Sequence, residues 1–471
     1  TVLWTEVNIN PHPSDHDKDA VIAGNVYGGA RGGQIKKDTK VNLLGGVIKH
    51  NAYGGGQGTT DIAADVLGNT TVQLNKGVAS TAKGCAVKKV FGCNDLNGTP
   101  KGHVLVHVYA TQKEGTAKIV PEGGKLTKFK KLSEYTSENY TADSDADDLG
   151  SLAAAAGLTT VQINAYKTAI ADAVGDAAKK AAIDNYIDAI ADKKYDVLAV
   201  YGGGDLAPYN PTSEEENTEV IIDGCEETSI KQVYGGGNAA SVPATKITVN
   251  SAYEIHESFG GGNGKDDYEL DTKWYKNPGA NVGYSATFHH NTSSGGTQDS
   301  PYAVVENNGS DGYKDATTKE ARIANYAYGN GHARIEVYGG RIHRSYGGSN
   351  EKGNIRYEAS SAYEESGSCQ MNIDETYGGG RNAETDPDIR ADMECVDYMD
   401  EVYGGSTSGD VNSDIVLNIT NGTFGRVFGG NKEVGRIHGS ITVNVKEMGC
   451  KPIIIGGLYA GGYKADYSIY G

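Results

Sequence analysis

The sequence predicts an all-β protein, a right-handed parallel β-helix (β-solenoid) with coils of about 25 residues, interrupted by a small α-helical insertion and a long loop insertion. Three observations lead to this prediction. An aromatic residue followed by two or three glycines recurs along the chain of 471 residues. Many successive aromatics are about 25 residues apart, and the intervals between them hold short segments in which apolar and polar residues alternate.

The aromatic–glycine motif sets the repeat. Tyr377 and Tyr403 are 26 residues apart, and Tyr403 and Phe428 are 25 apart. Glycines after a strand permit positive φ and a sharp corner, and corners of neighbouring coils can stack about 4.8 Å apart. We therefore expect the aromatic rings to form a ladder along the solenoid axis, made of Tyr27, Tyr53, Tyr201, Tyr234, Phe259, Tyr346, Tyr377, Tyr403 and Phe428. The alternative is a solvent-facing ladder that stacks on sugar rings.

The segments between the motifs predict strands. In "ITVNV" at 441–445, the isoleucine and both valines fall on one face and the threonine and asparagine on the other. A unit of about 25 residues cannot bury such a face alone, but stacked copies can. A β-propeller blade needs roughly 40 residues, so the solenoid is favoured.

The segment 126–196 is predicted as a helical hairpin or bundle extruded from one coil. Its apolar residues recur at the three- or four-residue spacing of a helix, at Ile163, Tyr166, Ile170, Val174, Ala177, Ala181, Ile183, Ile187 and Ile190. Gly175 followed by Asp176 predicts a stop and a new N-cap. The solenoid is then predicted at 1–125, 197–264 and 326–471.

The second insertion, 265–325, is polar and rich in turn residues. Long excursions from a regular scaffold often carry binding function. We therefore expect ligand contacts there, with Trp274, Tyr275 and Tyr284 as the candidate residues.

Charge and composition limit the partners. The net charge of −18 repels phosphate backbones, so we expect no nucleic-acid partner. The sequence has no apolar run near eighteen residues, so we expect no direct membrane span. The first residues do not resemble a signal peptide, so we expect either a cytoplasmic protein or a mature or partial form of the chain, and we favour the second. Thirty tyrosines against six phenylalanines suit half-exposed aromatic positions.

Four of the six cysteines occupy nearly the same position of the coil, eight or nine residues before a motif aromatic: Cys225, Cys369, Cys395 and Cys450. This registration argues against a zinc site, which needs convergent pairs at short spacing. Cys369 and Cys395 are one period apart, so neighbouring coils would bring them within range of a disulfide. The alternative is that the cysteines are reduced and fill small interior niches.

The sequence offers no convergent catalytic set, and we predict no catalytic residue. Enzymes that cleave polysaccharides need several acids converging on one face. The candidates for such a set, Asp386, Asp388, Asp397 and Asp400, lie instead in one long connection.

We also expect no cofactor, with calcium as the alternative. Asp143, Asp145 and Asp147 resemble the start of a calcium loop, but the sixth position is Asp148 instead of glycine and the twelfth is Ala154 instead of glutamate. A solvated acidic turn that caps the following helix also explains these residues.

The repeats, most clearly "NGTFGRVFGGN" at 421–431, resemble the glycine-rich repeats of large secreted or surface-displayed bacterial β-helix proteins, including adhesin-like proteins of gut Bacteroidota. The resemblance covers roughly 340 residues and excludes both insertions. It implies an extracellular or cell-surface location and a role in adhesion, glycan contact or surface assembly. It carries over no functional residue.

These observations favour a non-catalytic, surface-associated bacterial solenoid that binds surface proteins, glycan or copies of itself. One alternative is a carbohydrate-active β-helix enzyme, either a polysaccharide lyase or hydrolase or a protein like a phage tailspike. Such an enzyme should gather three or more carboxylates in a groove. The other alternative is a structural filament or sheath subunit.

Overall fold

The chain folds as a parallel β-helix, which confirms the predicted fold class. A computed structural model describes residues 2–78, 84–111, 158–175, 195–266, 278–290, 326–367 and 369–465, with shorter pieces within 150–190 and 268–316. In this part of the chain, each coil contributes one strand to each of two long parallel sheets. Residues on a third side are joined by isolated bridges, which link Val2 to Ile35, Val242 to Val282 and Val411 to Ile437 among others.

Sheet I has eleven strands in spatial order: β1 (Thr5–Ile9), β4 (Thr39–Leu43), β6 (Thr70–Leu74), β8 (Val104–Val108), β10 (Thr218–Ile222), β12 (Thr245–Val249), β19 (His332–Val337), β21 (Glu358–Glu364), β23 (Asp388–Glu394), β25 (Ile415–Ile419) and β27 (Ile441–Val445). The strands pair in parallel without shifts of register. Thr218 of β10, for example, pairs with Thr245 of β12.

Sheet II has twelve strands: β2 (Val21–Ile22), β5 (Val47–Tyr53), β7 (Ala86–Phe91), β9 (Val197–Tyr201), β11 (Ser229–Tyr234), β13 (Glu254–Phe259), β20 (Gly340–Tyr346), β22 (Met371–Tyr377), β24 (Val396–Tyr403), β26 (Gly422–Phe428) and β28 (Ile453–Tyr459), with β3 (Val26–Tyr27) also pairing with β5. Inward-facing Val, Ile, Leu and Met side chains of both sheets form one continuous core between them.

The corner glycines are required by close packing between coils. A Cβ at Gly260 would lie 2.4 Å from the carbonyl oxygen of Gly347 in the next coil, and one at Gly235 would meet the Gly260 carbonyl oxygen at the same distance. No real Cβ approaches a backbone oxygen this closely. The predicted positive φ is wrong at these two corners, since neither glycine adopts it. The predicted close stacking of the corners is correct.

The predicted aromatic ladder is present, and it includes Phe91 and Tyr459. Eleven rings from Tyr27 to Tyr459 stack with centroids 4.6–5.0 Å apart and interplanar angles of 3–12°. This separation follows the spacing of the strands that carry the rings.

The interior rings of the ladder are buried, so the sugar-stacking alternative and the expected half-exposed tyrosines are wrong for them. The hydroxyls are satisfied within the protein. Tyr234 donates to Oδ1 of Asn263 at 3.1 Å, and Tyr377 donates to a carboxylate oxygen of Glu375 at 2.6 Å. Polar side chains beside the ladder therefore replace the water that the tyrosines would otherwise contact.

The first insertion contains the helix α1 (Thr160–Asp172), which begins with a capping box between Thr159 and Gln162. Ile163 and Ile170 are buried as predicted, in a small cluster that also holds Ile183, Tyr186 and Ile190. The placement of Val174 on the apolar face is wrong. The helix ends two residues earlier, and Val174 is exposed.

The second insertion is divided in two by a return to the solenoid. Val282 is fully buried in the core and bridges Val242 and Ile355 of the neighbouring coils. On one side of this return lies the antiparallel pair β14 (Tyr268–Leu270) and β15 (Lys273–Tyr275). On the other side lie three antiparallel strands, β16 (Ala286–His290), β17 (Tyr302–Glu306) and β18 (Tyr313–Ala316). A short 3₁₀ helix also occupies His16–Lys18.

The predicted Cys369–Cys395 disulfide is wrong, as is the reduced state for these residues. Disulfides join Cys225 to Cys369 and Cys395 to Cys450, each with a Cα–Cα distance of 5.7 Å. The turn before Cys369 folds back over the short turns of the two preceding coils, since the amide of Gly367 donates to the Tyr338 carbonyl. The bond therefore passes over two coils instead of joining neighbours.

Peptide mapping under non-reducing conditions will test this connectivity. We expect one linked peptide containing Cys225 and Cys369 and another containing Cys395 and Cys450. Replacing Cys225 and Cys369 together with serine should lower the free energy of unfolding by about 2–5 kcal/mol, because their disulfide closes a long loop in the unfolded chain. A linked peptide that contains Cys369 and Cys395 would contradict the structure.

The ladder should contribute strongly to stability. Tyr234→Ala removes a fully buried ring and should lower the free energy of unfolding by about 3–5 kcal/mol in urea denaturation. Tyr357→Ala is the matched control, because this tyrosine is 62 % exposed, and it should change the free energy of unfolding by about 0.5 kcal/mol or less. Equal effects of the two substitutions would show that the ladder does not stabilise the solenoid.

Candidate functional site

The outer face of sheet I carries a polar groove, formed where side chains of four neighbouring strands stand in register. Outward positions of β12, β19, β21 and β23 align in one row, Lys246, Arg334, Ser360 and Arg390, and in a second row, Thr248, Glu336, Ala362 and Asp392. Outward and inward side chains alternate along each strand, so inward neighbours such as Ile335 remain in the core.

The groove exists because β21 carries short side chains. Ser360 and Ala362 form its floor, while the strands on either side carry the long side chains of Arg334 and Arg390. These two strands are two spacings apart, about 10 Å. The resulting groove has a volume of about 490 Å³ and extends to Asn217 at one side.

The arginine on each side of the groove contacts a carboxylate, of which Asp392 also lines the groove. On one side, Nε of Arg334 lies 3.2 Å from Oε1 of Glu336. On the other, Nε of Arg390 donates to Oδ2 of Asp392 at 2.8 Å, and this hydrogen bond raises the pKa of Arg390. Lys246 adds a contact of 3.3 Å to Glu336. The groove therefore offers paired donors and acceptors.

An exposed aromatic ring lies beside the groove. Tyr357 is 62 % exposed, and its ring centroid is 4.5 Å from that of His332, which lines the groove. His332 also lies 3.6 Å from Glu358, so the imidazole is held between a ring and a carboxylate. Tyr357 thus gives the groove a flat apolar surface at its rim.

The residues predicted to bind a ligand lie in the second insertion. Trp274 and Tyr275 lie in β15, which pairs with β14. Tyr284 is fully buried in the solenoid, so the prediction that it contacts a ligand is wrong. The candidate calcium ligands Asp143, Asp145 and Asp147 lie outside the described residues.

The four acids of the long connection do not converge either. Asp388 lies on sheet I, whereas Asp397 and Asp400 lie on β24 of sheet II. Asp386 is buried on the third side, where it accepts hydrogen bonds from Asn354 and Asn412 of the coils before and after it. These acids therefore stabilise separate parts of the solenoid.

A cluster of titratable groups is buried on the outer face of sheet II. His343 is held between two carboxylates, with Nε2 2.5 Å from Oε1 of Glu254 and Nδ1 2.7 Å from Oδ2 of Asp374. Tyr195 donates to the same Glu254 oxygen at 3.0 Å, and Arg341 lies 3.3 Å from Asp374. Glu254 is fully buried and His343 nearly so. The cluster thus joins three strands, and its carboxylates and imidazole are buried.

Next to this cluster, Glu257 is buried between cations. Its Oε1 lies 3.0 Å from Arg344 and 3.5 Å from Arg381. Burial alone would raise the pKa of Glu257, but the charges of Arg381, His256 and Arg344 outweigh it and hold the pKa far below its ordinary value. The carboxylate is therefore ionised and neutralised in place.

The free thiols have no sign of activation. Cys85 and Cys93 are both buried and unbonded to another cysteine. Burial raises the pKa of Cys85 to about 12, so its thiol stays protonated at neutral pH. A protonated thiol is a poor nucleophile.

In the described ranges, no group of three or more His, Cys, Asp or Glu side chains is placed to hold a metal ion. Within those same ranges, no helix has the length and apolar character needed to cross a membrane. No family model, curated protein or solved structure matches the chain.

Sequence analysis missed the groove because its residues are far apart in the chain. Lys246 of β12 and Arg390 of β23 are separated in the chain by the whole second insertion and by the solenoid strands β13, β19, β20, β21 and β22. The sequence nevertheless contains a pattern that relates the two arginines. Arg334 and Arg390 each face outward and directly precede an apolar residue that faces inward. Aligning the strands coil by coil would have placed the two arginines in one row.

The ion pairs of Glu257 should make the protein sensitive to acid. The pKa of Glu257 is lower in the folded protein than its ordinary value of 4.5 in the unfolded chain. The ionised side chain therefore stabilises the fold fully above pH 4.5, and this contribution falls as the pH drops below 4.5. We expect Glu257→Gln to lower the free energy of unfolding at pH 7 by about 3–5 kcal/mol and to flatten its decline below pH 4.5. Urea denaturation across this pH range measures both effects.

Glu447→Gln is the matched control, because Glu447 is exposed. It should leave both the stability at neutral pH and the acid decline unchanged. An acid decline that is as steep in Glu257→Gln as in the wild type would contradict the assignment.

Proposed function

We propose that this protein is an extracellular, surface-associated β-solenoid that acts as a non-catalytic binding scaffold, and that the groove on sheet I binds a neutral glycan. The observation that carries the proposal is the pair of arginines, Arg334 and Arg390, which line the groove on either side of a floor of small side chains. Each arginine contacts a carboxylate, Glu336 for Arg334 and Asp392 for Arg390.

The chemistry of the groove suits sugar hydroxyls. Each hydroxyl can both donate and accept a hydrogen bond. Where a guanidinium contacts a carboxylate, hydrogen-bond donors of the arginine lie beside acceptors of the acid, and the two charges compensate each other. Tyr357 adds an exposed ring on which the apolar face of a sugar can pack. The groove also runs across several coils, so a linear glycan can repeat its contacts along the axis.

The disulfides support the proposed location. Cys225–Cys369 and Cys395–Cys450 both link turns of the solenoid. Disulfides persist in oxidising environments and are rare in the cytosol. The strongly acidic composition also fits a soluble surface scaffold, because a net charge far from zero opposes self-association.

One observation favours the enzyme alternative. Glu358 and Asp392 both line the groove, and glycoside hydrolases use a pair of carboxylates on either side of the scissile bond. In this groove Asp392 is engaged by Arg390 and Glu358 by His332, an arrangement that suits binding. Release of reducing ends from a bound glycan would favour the enzyme alternative.

A glycan array followed by titration of the best neutral oligosaccharide tests the proposal. We expect saturable binding by the wild type without cleavage. Arg390→Ala should weaken it at least about tenfold, because a charge-assisted hydrogen bond contributes about 1.5–3 kcal/mol. Tyr357→Ala should also weaken binding, whereas Arg31→Ala, an exposed arginine on another part of the surface, should not. Unchanged affinity in both groove variants would refute this site.

A further inference from the structure

A cleft lies between the helical insertion and sheet II, on the side of the solenoid away from the groove. It has a volume of about 590 Å³, within the range of small-molecule sites. Strands β5, β7 and β9 form one wall, and α1 with nearby residues of the insertion forms the other. The cleft is thus a product of the insertion, which the regular repeat does not provide.

Most of the lining is apolar. Val47, Ala86 and Leu198 line the wall formed by the sheet. Leu158 and Ala189 line the opposite wall, together with Tyr166, whose ring stacks on Tyr186 at a centroid distance of 5.0 Å. An apolar chain placed here would be removed from water, which is favourable in proportion to its area.

The charged residues that line the cleft are Lys49, Lys88 and the buried Asp196, whose carboxylate accepts a hydrogen bond from Thr111. Lys49 and Lys88 both line the cleft from the adjacent strands β5 and β7, directly after the paired residues Ile48 and Val87, where the register of the two strands shifts. Both are exposed, and neither forms an ion pair within the described part of the chain. Like charges on adjacent strands repel. An anion bound between them would relieve this repulsion.

We propose that this cleft binds an amphipathic small molecule with an anionic head group, of the class of aliphatic carboxylates. The carboxylate contacts Lys49 and Lys88, and the aliphatic chain lies between Leu198 and Tyr166. The site is separate from the glycan groove, so either ligand can bind without the other. It also gives the insertion a role, since helix α1 closes the apolar part of the cleft.

Isothermal titration of the full chain with decanoate, below its micelle concentration, tests this inference. We expect one saturable site, at least about tenfold weaker binding of 1-decanol, and no competition by acetate, since both the head group and the chain are needed. No saturable binding of decanoate, or equal binding of decanoate and acetate, would overturn the proposal.

Variants then locate the site. Lys49→Gln/Lys88→Gln keeps the side-chain size and should weaken decanoate binding at least about tenfold, since charge-assisted contacts are lost. Ala86→Leu fills the apolar wall and should abolish binding without removing a charge. Lys36→Gln/Lys446→Gln, with two lysines outside the cleft, is the matched control and should bind as the wild type does. Wild-type affinity in both cleft variants would place decanoate elsewhere and overturn the proposal.

Discussion

The stacking of each coil on the next at the spacing of β-strands is the constraint on which the rest of the structure depends. It is enforced at the corners, where the backbone of one coil approaches the next so closely that only glycine fits, as at Gly235 and Gly260. The same spacing holds the aromatic rings face to face at 4.6–5.0 Å. A side chain at any position is therefore placed directly against its counterparts in the coils before and after.

This constraint explains the order of charges beside the ladder. If one charged residue occupied the same position in every coil, like charges would lie a strand spacing apart and repel. The outer row of sheet II instead runs Gln232, Glu257, Arg344, Glu375, with the acids paired to cations. Where two acids follow each other, Glu375 and Glu401, Lys432 contacts both. Burial of these groups is tolerated because each acid has a cation within reach.

Both proposed sites lie where the repeat is irregular. The groove on sheet I forms where one coil has the short side chains Ser360 and Ala362 between coils with long ones. The cleft on sheet II forms where the helical insertion leaves the solenoid and covers part of its face. A regular solenoid presents flat faces, so a concave site needs either a missing side chain or an added segment.

The fold class, the coil length and most of the ladder can be predicted from the sequence alone, because they depend on local patterns that repeat: aromatic–glycine corners and period-two alternation. The sequence also located a helix around Ile163 and Ile170. The tertiary structure was needed to find the disulfide partners, the division of the second insertion by Val282 and the alignment of Arg334 with Arg390. These features depend on which turn folds over which coil and on how the insertions change the number of residues between equivalent positions of neighbouring coils. Such relations between distant segments are fixed by packing and leave no local pattern in the sequence.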